Sequence, residues 1–349
     1  MIPLRISVPV ALIAGAVALA VLAAAPIGPR ASASQLEAQA RTRALVVVGL
    51  GGTAEYRERF HEQARALRDG LVEQHGLDEG DVVYLGERVE IDPEVVADRS
   101  TRENVLGVLD RFAAASEPAD RVLVVLIGHG TSGAGGESFN LPGPDVGPSD
   151  LAKALAAFGP TPVAFVHTGS GSGAYLEPLA GPDRIVITAT RTGRELNATR
   201  FGEHFVAALS GEGADIDRDG RISLLEAYTY ARDEVARHYE SENQIQTEHA
   251  MLDDDGDGSG THEAGPDAAD GRLAGTFAFG GRVQTDVPET DDPELARLFR
   301  ERAEIQGRIE ELRELSGSLD EDVYLARMEE LLVELALKNR EIGAAGGGP

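Results

Sequence analysis

Short apolar runs alternate with amphipathic stretches between residues 45 and 209, and this alternation constrains the fold more than any other feature. The runs are dominated by Val, Ile and Leu and lie at residues 45–48, 82–85, 122–127, 163–166 and 185–189. Such runs are typical of parallel strands that are buried on both faces. In the stretches between them, apolar residues recur at helical spacing. The sequence therefore predicts an α/β fold with a mostly parallel sheet, in a domain spanning residues 43–284.

Polar and glycine residues follow two of these runs directly. His129 and Gly130 come after the third run, and Ser170 opens a Ser-Gly-Ser-Gly turn after the fourth. Because ligands bind beyond the carboxyl ends of parallel strands, we expect His129 and Ser170 to be neighbours in space. One interpretation is an imidazole beside a nucleophile, with turn N–H groups that hold an oxyanion. The other is that glycine and serine only turn the chain.

The surrounding motifs resemble the legumain-like and caspase-like peptidases, particularly bacterial legumains, over roughly residues 44–279. Besides the two turns, the motifs that carry the resemblance are Phe139–Gly143, Thr188–Arg191 and Arg200–Gly202. The resemblance implies a caspase-like three-layer sandwich. It also implies that His129 is the catalytic histidine, that Gly130 is an oxyanion-hole donor, and that Ser170 occupies the position of the nucleophilic cysteine.

The chain departs from that family because it contains no cysteine. A thiol is partly ionised at neutral pH, whereas a serine hydroxyl must lose its proton to a hydrogen-bonded base during attack. The family's histidine stands apart from its nucleophile and would activate Ser170 poorly. Thr168 also replaces the acidic residue with which legumains recognise asparagine. We therefore expect a lost or weakened peptidase centre, in a protein that binds a peptide or a protein partner.

Two other functions stay open. The first is an active endopeptidase or hydrolase that uses Ser170, with His129 or His167 as the base. His167 could instead join His129 on a metal ion, or be an ordinary hydrogen-bonded histidine at the rim of the site. The second is a calcium-stabilised scaffold without a ligand cleft.

Residues 215–226, the first acidic loop, match the twelve-residue pattern of an EF-hand-type calcium loop between two predicted helices. The residues at its ligand positions are Asp215, Asp217, Asp219, Arg221, Ser223 and Glu226. Carboxylates at positions 1, 3 and 5 converge on one cation, Gly220 makes the sharp turn, and the final glutamate closes the shell with both oxygens. The sequence predicts a structural Ca²⁺ site here.

Residues 253–264, the second acidic loop, begin in the same way. Asp253, Asp255 and Asp257 fill the first three ligand positions, but position 12 is Ala264, and Glu263 falls one place early. The loop is either a weaker calcium site with a different closing ligand or a solvated acidic loop.

The ends of the chain predict its location and its contacts. Residues 6–25 are apolar and precede a small-residue stretch at 31–33, so residues 1–33 are either a cleaved signal peptide or a membrane anchor. Either one predicts an exported protein that is periplasmic, extracellular or membrane-anchored facing outside the cytoplasm. The formal net charge of −27 would repel phosphate backbones and argues against a nucleic-acid partner.

A Pro- and acid-rich linker ends the first domain, and apolar residues then recur at seven-residue spacing. This pattern predicts an α-helical hairpin over residues 292–342 that packs on the domain, forms a dimer or binds a partner. The Gly-rich residues 343–349 are expected to be a disordered tail.

Overall fold

The strands of the computed structural model form one large sheet and two small ribbons. The structure describes residues 41–133, 136–211, 213–280, 292–314 and 321–345. Its strands are β1 (Thr42–Val48), β2 (Val82–Gly86), β3 (Asp98–Arg99), β4 (Arg121–Ile127), β5 (Gly130–Gly133), β6 (Gly136–Phe139), β7 (Val163–His167), β8 (Arg184–Thr188), β9 (Arg221–Ser223), β10 (Met251–Asp253) and β11 (Ala278–Gly280). Seven of them make a sheet in the order β10-β8-β7-β4-β1-β2-β3, and β5 pairs with β6 and β9 with β11. Every neighbouring pair in the large sheet is parallel except β10 with β8.

Helices cover both faces of this sheet. They are α1 (Ala54–Asp69), α2 (Arg102–Ala115), α3 (Pro148–Ala156), α4 (Leu176–Leu179), α5 (Phe201–Ser210), α6 (Leu224–Ser241), α7 (Arg272–Thr276), α8 (Pro293–Glu314) and α9 (Glu321–Ala344). A π-helical turn, Gly70–Gln74, continues α1, and short 3₁₀ turns lie at Glu79–Asp81, Val89–Ile91 and Ser172–Tyr175.

Successive residues of each strand belong to two separate cores. In β1, Ala44 and Val46 face the core shared with α1, α5 and α6, whereas Leu45 and Val47 face the core shared with α2 and α3. This two-residue period buries both faces of the strand and explains its continuous apolar sequence. The predicted α/β fold with a mostly parallel sheet is confirmed, and its layers are compatible with a three-layer sandwich.

Helix starts follow from capping threonines. The apolar spacing predicts helices from Tyr56 and Asn104, but α1 and α2 begin two residues earlier. Thr53 and Thr101 accept hydrogen bonds from the Tyr56 and Asn104 N–H groups at 3.3 and 3.2 Å. A capping side chain satisfies an N–H group that the first turn leaves free, so the helix extends back to the cap.

The last two helices pack against each other. Ile305, Ile309 and Leu312 of α8 share a small core with Leu331 of α9. The Lys338 Nζ atom lies 2.8 Å from Glu301, so the start of α8 meets the end of α9. The α9 helix continues through Ala344, past the boundary predicted at residue 342.

Several sequence predictions fall beyond the described residues. The signal peptide or anchor at residues 1–33, with its apolar segment 6–25, lies there, as do residues 346–349 of the predicted tail. Within the described ranges, none of the helices combines the length and apolarity needed to cross a membrane.

A buried carboxylate fixes the start of α5, a helix that lies beside His129. Glu248 is almost fully buried and accepts hydrogen bonds from the N–H groups of Arg200 (2.9 Å) and Phe201 (3.1 Å). A negative charge at this end also offsets the positive end of the helix dipole.

We expect Glu248→Ala to lower the free energy of unfolding by about 1–3 kcal/mol, because two N–H groups lose a buried acceptor. The exposed Glu240→Ala on α6 is the matched control and should change stability by less than about 0.5 kcal/mol. Urea denaturation followed by circular dichroism measures both variants. Equal, small effects would show that Glu248 does not hold this helix.

Candidate functional site

Two glycine-containing turns touch where β4 and β7 end. A Cβ atom at Gly169 would lie 2.1 Å from the Gly128 carbonyl oxygen, and one at Gly130 would lie 2.2 Å from the Ser170 carbonyl oxygen. Only glycine permits this approach of two backbones. We call it the glycine contact, and it makes the His129 and Ser170 turns neighbours, as the sheet topology predicts.

The Ser170 hydroxyl is buried and makes its hydrogen bond to the backbone of the neighbouring His129 turn. Ser170 is 4% exposed, and its Oγ atom donates to the Gly130 carbonyl oxygen at 3.4 Å. That distance is long for a hydroxyl donor, whose usual range centres near 2.7–2.8 Å. The following residue, Gly171, has a φ of +69° and donates its N–H to the Glu195 carbonyl at 2.8 Å, which fixes the turn.

The His129 ring lies between aromatic side chains of α1. Its centroid is 4.6 Å from that of Tyr56 and 5.0 Å from that of Phe60, both in edge-on contact. Burial, followed by the nearby Arg59 guanidinium, lowers the pKa of His129, so the ring is neutral at pH 7. Among the described residues, no hydrogen bond joins this ring to the Ser170 hydroxyl. His129 is therefore near Ser170 without being placed as its base.

His167 is excluded from the same role by the alternation of β7. Its ring is fully buried on the face of Phe139 and Tyr175, with centroid distances of 5.2 and 4.8 Å. The Nδ1 atom accepts the Gly169 N–H at 3.1 Å, and burial lowers the pKa to about 3. The acidic and histidine groups that could share a metal ion in the described ranges include neither His129 nor His167. His167 is thus a neutral, structural side chain.

A narrow pocket opens beside His129, between α1 and α5. Its lining includes Arg59, Gln63, Thr168 and Thr199. The cavity has a volume of about 10 Å³, which is room for about one water molecule. The Thr168 hydroxyl donates to the Leu126 carbonyl at 3.0 Å. We call this the Arg59 pocket, after the charged residue among its described lining residues. The Arg59 guanidinium favours an anionic or hydrogen-bond acceptor group over a cation.

The first acidic loop brings its predicted carboxylates together. One carboxylate oxygen from each of Asp215, Asp217 and Asp219 lies within 4.8 Å of the others. Gly220 has a φ of +83°, as the sharp turn requires. Burial, and then Asp219, raises the pKa of Asp217. These are the oxygens that a hard cation needs, gathered in one place.

Glu226 folds back over the same loop. Its Oε1 atom accepts the Ile216 N–H at 2.9 Å, and its Oε2 atom accepts the Ser223 N–H and hydroxyl at 2.8 Å each. Ile222 pairs with Phe279 in the β9–β11 ribbon, which anchors the loop to the domain. Arg221 also lies on β9, at the ligand position expected to supply a carbonyl.

The second acidic loop gathers a different set from the one predicted. Asp253 and Asp255 each place a carboxylate oxygen within 4.8 Å of one on Asp270, whereas Asp257 is outside this cluster. Asp257 instead accepts the Ser259 N–H at 2.7 Å. Asp270 lies beyond the twelve-residue pattern, at the start of α7, so loop spacing gives no signal for it.

No protein-family model matches this chain, and no curated protein matches it. The legumain resemblance stays a prediction that rests on the two turns and their neighbouring motifs.

The neutral state of His167 predicts a pH effect on stability. Its folded pKa of about 3 is below the ordinary histidine value of 6.5, so the unfolded chain takes up the proton first as pH falls. Stability should therefore decrease from about pH 6.5 towards pH 3, by up to about 1.4 kcal/mol per pH unit for this one group. We expect His167→Gln to remove that share of the slope, measured by urea denaturation between pH 4 and 7. Parallel slopes for the two proteins would contradict a neutral buried His167.

Proposed function

We propose that this chain is an exported, calcium-binding protein with a caspase-like fold of the legumain type, whose peptidase centre is lost or strongly weakened. It acts by binding a peptide or a protein segment at the end of the sheet. The observation that carries the proposal is the Ser170 hydroxyl, which donates to the Gly130 carbonyl and, among the described residues, makes no hydrogen bond to a histidine. An active serine hydrolase is the competing function.

The chemistry of serine explains the loss. Attack by a hydroxyl requires a base that takes its proton in the transition state, and His129 is held by aromatic rings of α1. Removing a base from such a centre leaves only binding and oxyanion stabilisation, several orders of magnitude below full activity. Peptide binding needs none of this proton transfer, so it survives the exchange of cysteine for serine.

The Arg59 pocket supports a ligand class. Its single guanidinium, next to the neutral His129 ring, favours a peptide side chain with a carboxylate or amide oxygen. Because the pocket is narrow, the segment carrying Ala198 and Thr199 must move outward to admit such a side chain. An acidic residue at position 168 would reverse this preference for a carboxylate or amide oxygen, but the chain has Thr168 there.

The calcium and export proposals support each other. A loop with three convergent aspartates, over which Glu226 folds back, fits Ca²⁺, and extracellular sites of this type bind at roughly 10⁻⁴ to 10⁻³ M. Such a site is filled where calcium is abundant, outside the cytoplasm. The predicted residues 1–33 supply the route, as a signal peptide or an anchor.

The helical hairpin of residues 292–342 is proposed as the contact surface for a dimer or a partner. Its second helix, α9, exposes Leu325, Leu332, Val333 and Leu337, each about half accessible. Apolar side chains grouped on one helix are typical of a surface that is covered in an assembly.

We expect wild-type protein to bind peptides from a library without cleaving them, and Ser170→Cys to cleave them. The thiolate supplies the nucleophile that the hydroxyl cannot, so a histidine that makes no hydrogen bond to the nucleophile is sufficient. Mass spectrometry of the peptides measures cleavage, and fluorescence anisotropy measures binding. Ser172→Cys, which puts a thiol in the same turn but in the buried Thr190 contact, is the control and should not cleave.

Two outcomes contradict the proposal. Cleavage by the wild type that Ser170→Ala abolishes would establish an active hydrolase. Absence of both binding and cleavage in every variant would leave a scaffold without a peptide cleft.

For the first acidic loop, we expect calcium to raise the melting temperature of the wild type and to raise that of Glu226→Gln much less. Glutamine retains the capping box with Ser223, so the substitution removes the charge without removing the helix cap. Differential scanning calorimetry with calcium or a chelator measures the effect. The exposed Glu240→Gln should respond like the wild type, and a wild type that does not respond to calcium would refute a structural calcium site.

A further inference from the structure

The second acidic loop contains a buried carboxylate that the protein itself leaves incompletely bonded. Asp253 ends β10 with no exposed surface. Its Oδ1 atom accepts the Gly256 N–H at 3.2 Å, but its Oδ2 atom is buried and has no hydrogen-bond partner among the described residues. A buried carboxylate oxygen without a donor is costly, because it has lost water and gained nothing.

Two more carboxylates make this arrangement worse in the absence of a counter-charge. Asp270 is 2% exposed, and an oxygen of each of Asp253, Asp255 and Asp270 lies within 4.8 Å of the others. Like charges at this separation repel, most strongly between the buried Asp253 and Asp270, where water is excluded. Burial, to which Asp270 adds, raises the pKa of Asp253 to about 6, against the opposing effect of the Gly258 and Gly256 N–H groups.

We propose that Asp253, Asp255 and Asp270 bind a divalent cation, a second calcium site in addition to the first acidic loop. Three carboxylates and no nitrogen or sulfur ligand make a hard, all-oxygen site of the kind that Ca²⁺ occupies. A cation there gives the free Asp253 Oδ2 atom a partner and cancels the repulsion among the three groups. The site rests on this cluster alone, so it does not depend on peptide binding or on the first loop.

The backbone holds Asp270 across the loop so that it can replace the closing residue that the sequence pattern lacks. Its Oδ1 atom accepts the N–H groups of Asp254 (3.0 Å) and Asp255 (3.4 Å). Asp254 in turn accepts the N–H groups of Gly271 and Ala274 at 2.8 Å each, at the beginning of α7. A cation at the cluster therefore joins the edge strand β10, through Asp253, to the segment just before α7, through Asp270.

Titration calorimetry of the purified, chelator-treated protein with calcium alone tests the proposal. We expect the wild type to bind two calcium ions and Asp270→Asn to bind one, with the lost site weakened roughly tenfold or more. Asparagine keeps an oxygen that can accept the two backbone N–H groups. Asp255→Asn, at an exposed position that tolerates substitution, provides a second variant and should lose the same site.

Asp257→Asn is the matched control, because Asp257 lies on the same loop and is also exposed but is outside the cluster. We expect it to bind like the wild type. Asp215→Ala should lose only the calcium site of the first acidic loop. Loss of calcium binding at one loop can therefore be distinguished from loss at the other. Wild-type binding by both Asp255→Asn and Asp270→Asn, or equal weakening by Asp257→Asn, would overturn the proposal.

Discussion

Two turns of the chain touch at the backbone where β4 and β7 end, and both can do so only because glycine occupies their contact positions. Gly130 admits the Ser170 carbonyl, and Gly169 admits the Gly128 carbonyl. The glycine contact sets the position of the Ser170 turn but leaves its hydroxyl facing a carbonyl. It also leaves the His129 ring free to pack on α1. Binding of a peptide at this edge, as proposed, needs none of the proton transfer that a serine nucleophile requires.

The second acidic loop and the Ser170 turn are connected through the same edge of the sheet. Gly171 donates to the Glu195 backbone, and the Glu195 carboxylate lies 3.1 Å from the His249 ring, just before β10. The α6 helix, which begins at the end of the first acidic loop, donates its Tyr228 hydroxyl to the His262 carbonyl on the second loop at 2.8 Å. Cations at the two acidic loops would therefore stabilise the elements that support the Ser170 turn. Ser170 and His129 themselves lie outside both carboxylate clusters.

Local patterns in the sequence predicted the parts of the molecule that local physics determines. The parallel strands follow from uninterrupted apolar runs, and the neighbouring strand ends follow from topology. The three-residue antiparallel strand β10 was missed, because it is too short to show a period and its partner β8 is over 60 residues away. Asp270 was missed for a similar reason, since a residue beyond the loop completes the cluster. The face of His167 and the hydrogen bond of Ser170 depend on tertiary packing.

The reactivity of the Ser170 hydroxyl measures directly whether this serine has a base, which it lacks in the proposed function. Incubation of the calcium-loaded protein with a fluorophosphonate, followed by intact-mass measurement, counts activated serine hydroxyls. We expect no adduct above that of Ser170→Ala. A stoichiometric adduct that is absent from Ser170→Ala would show that the hydroxyl is activated and would contradict the loss of the peptidase centre.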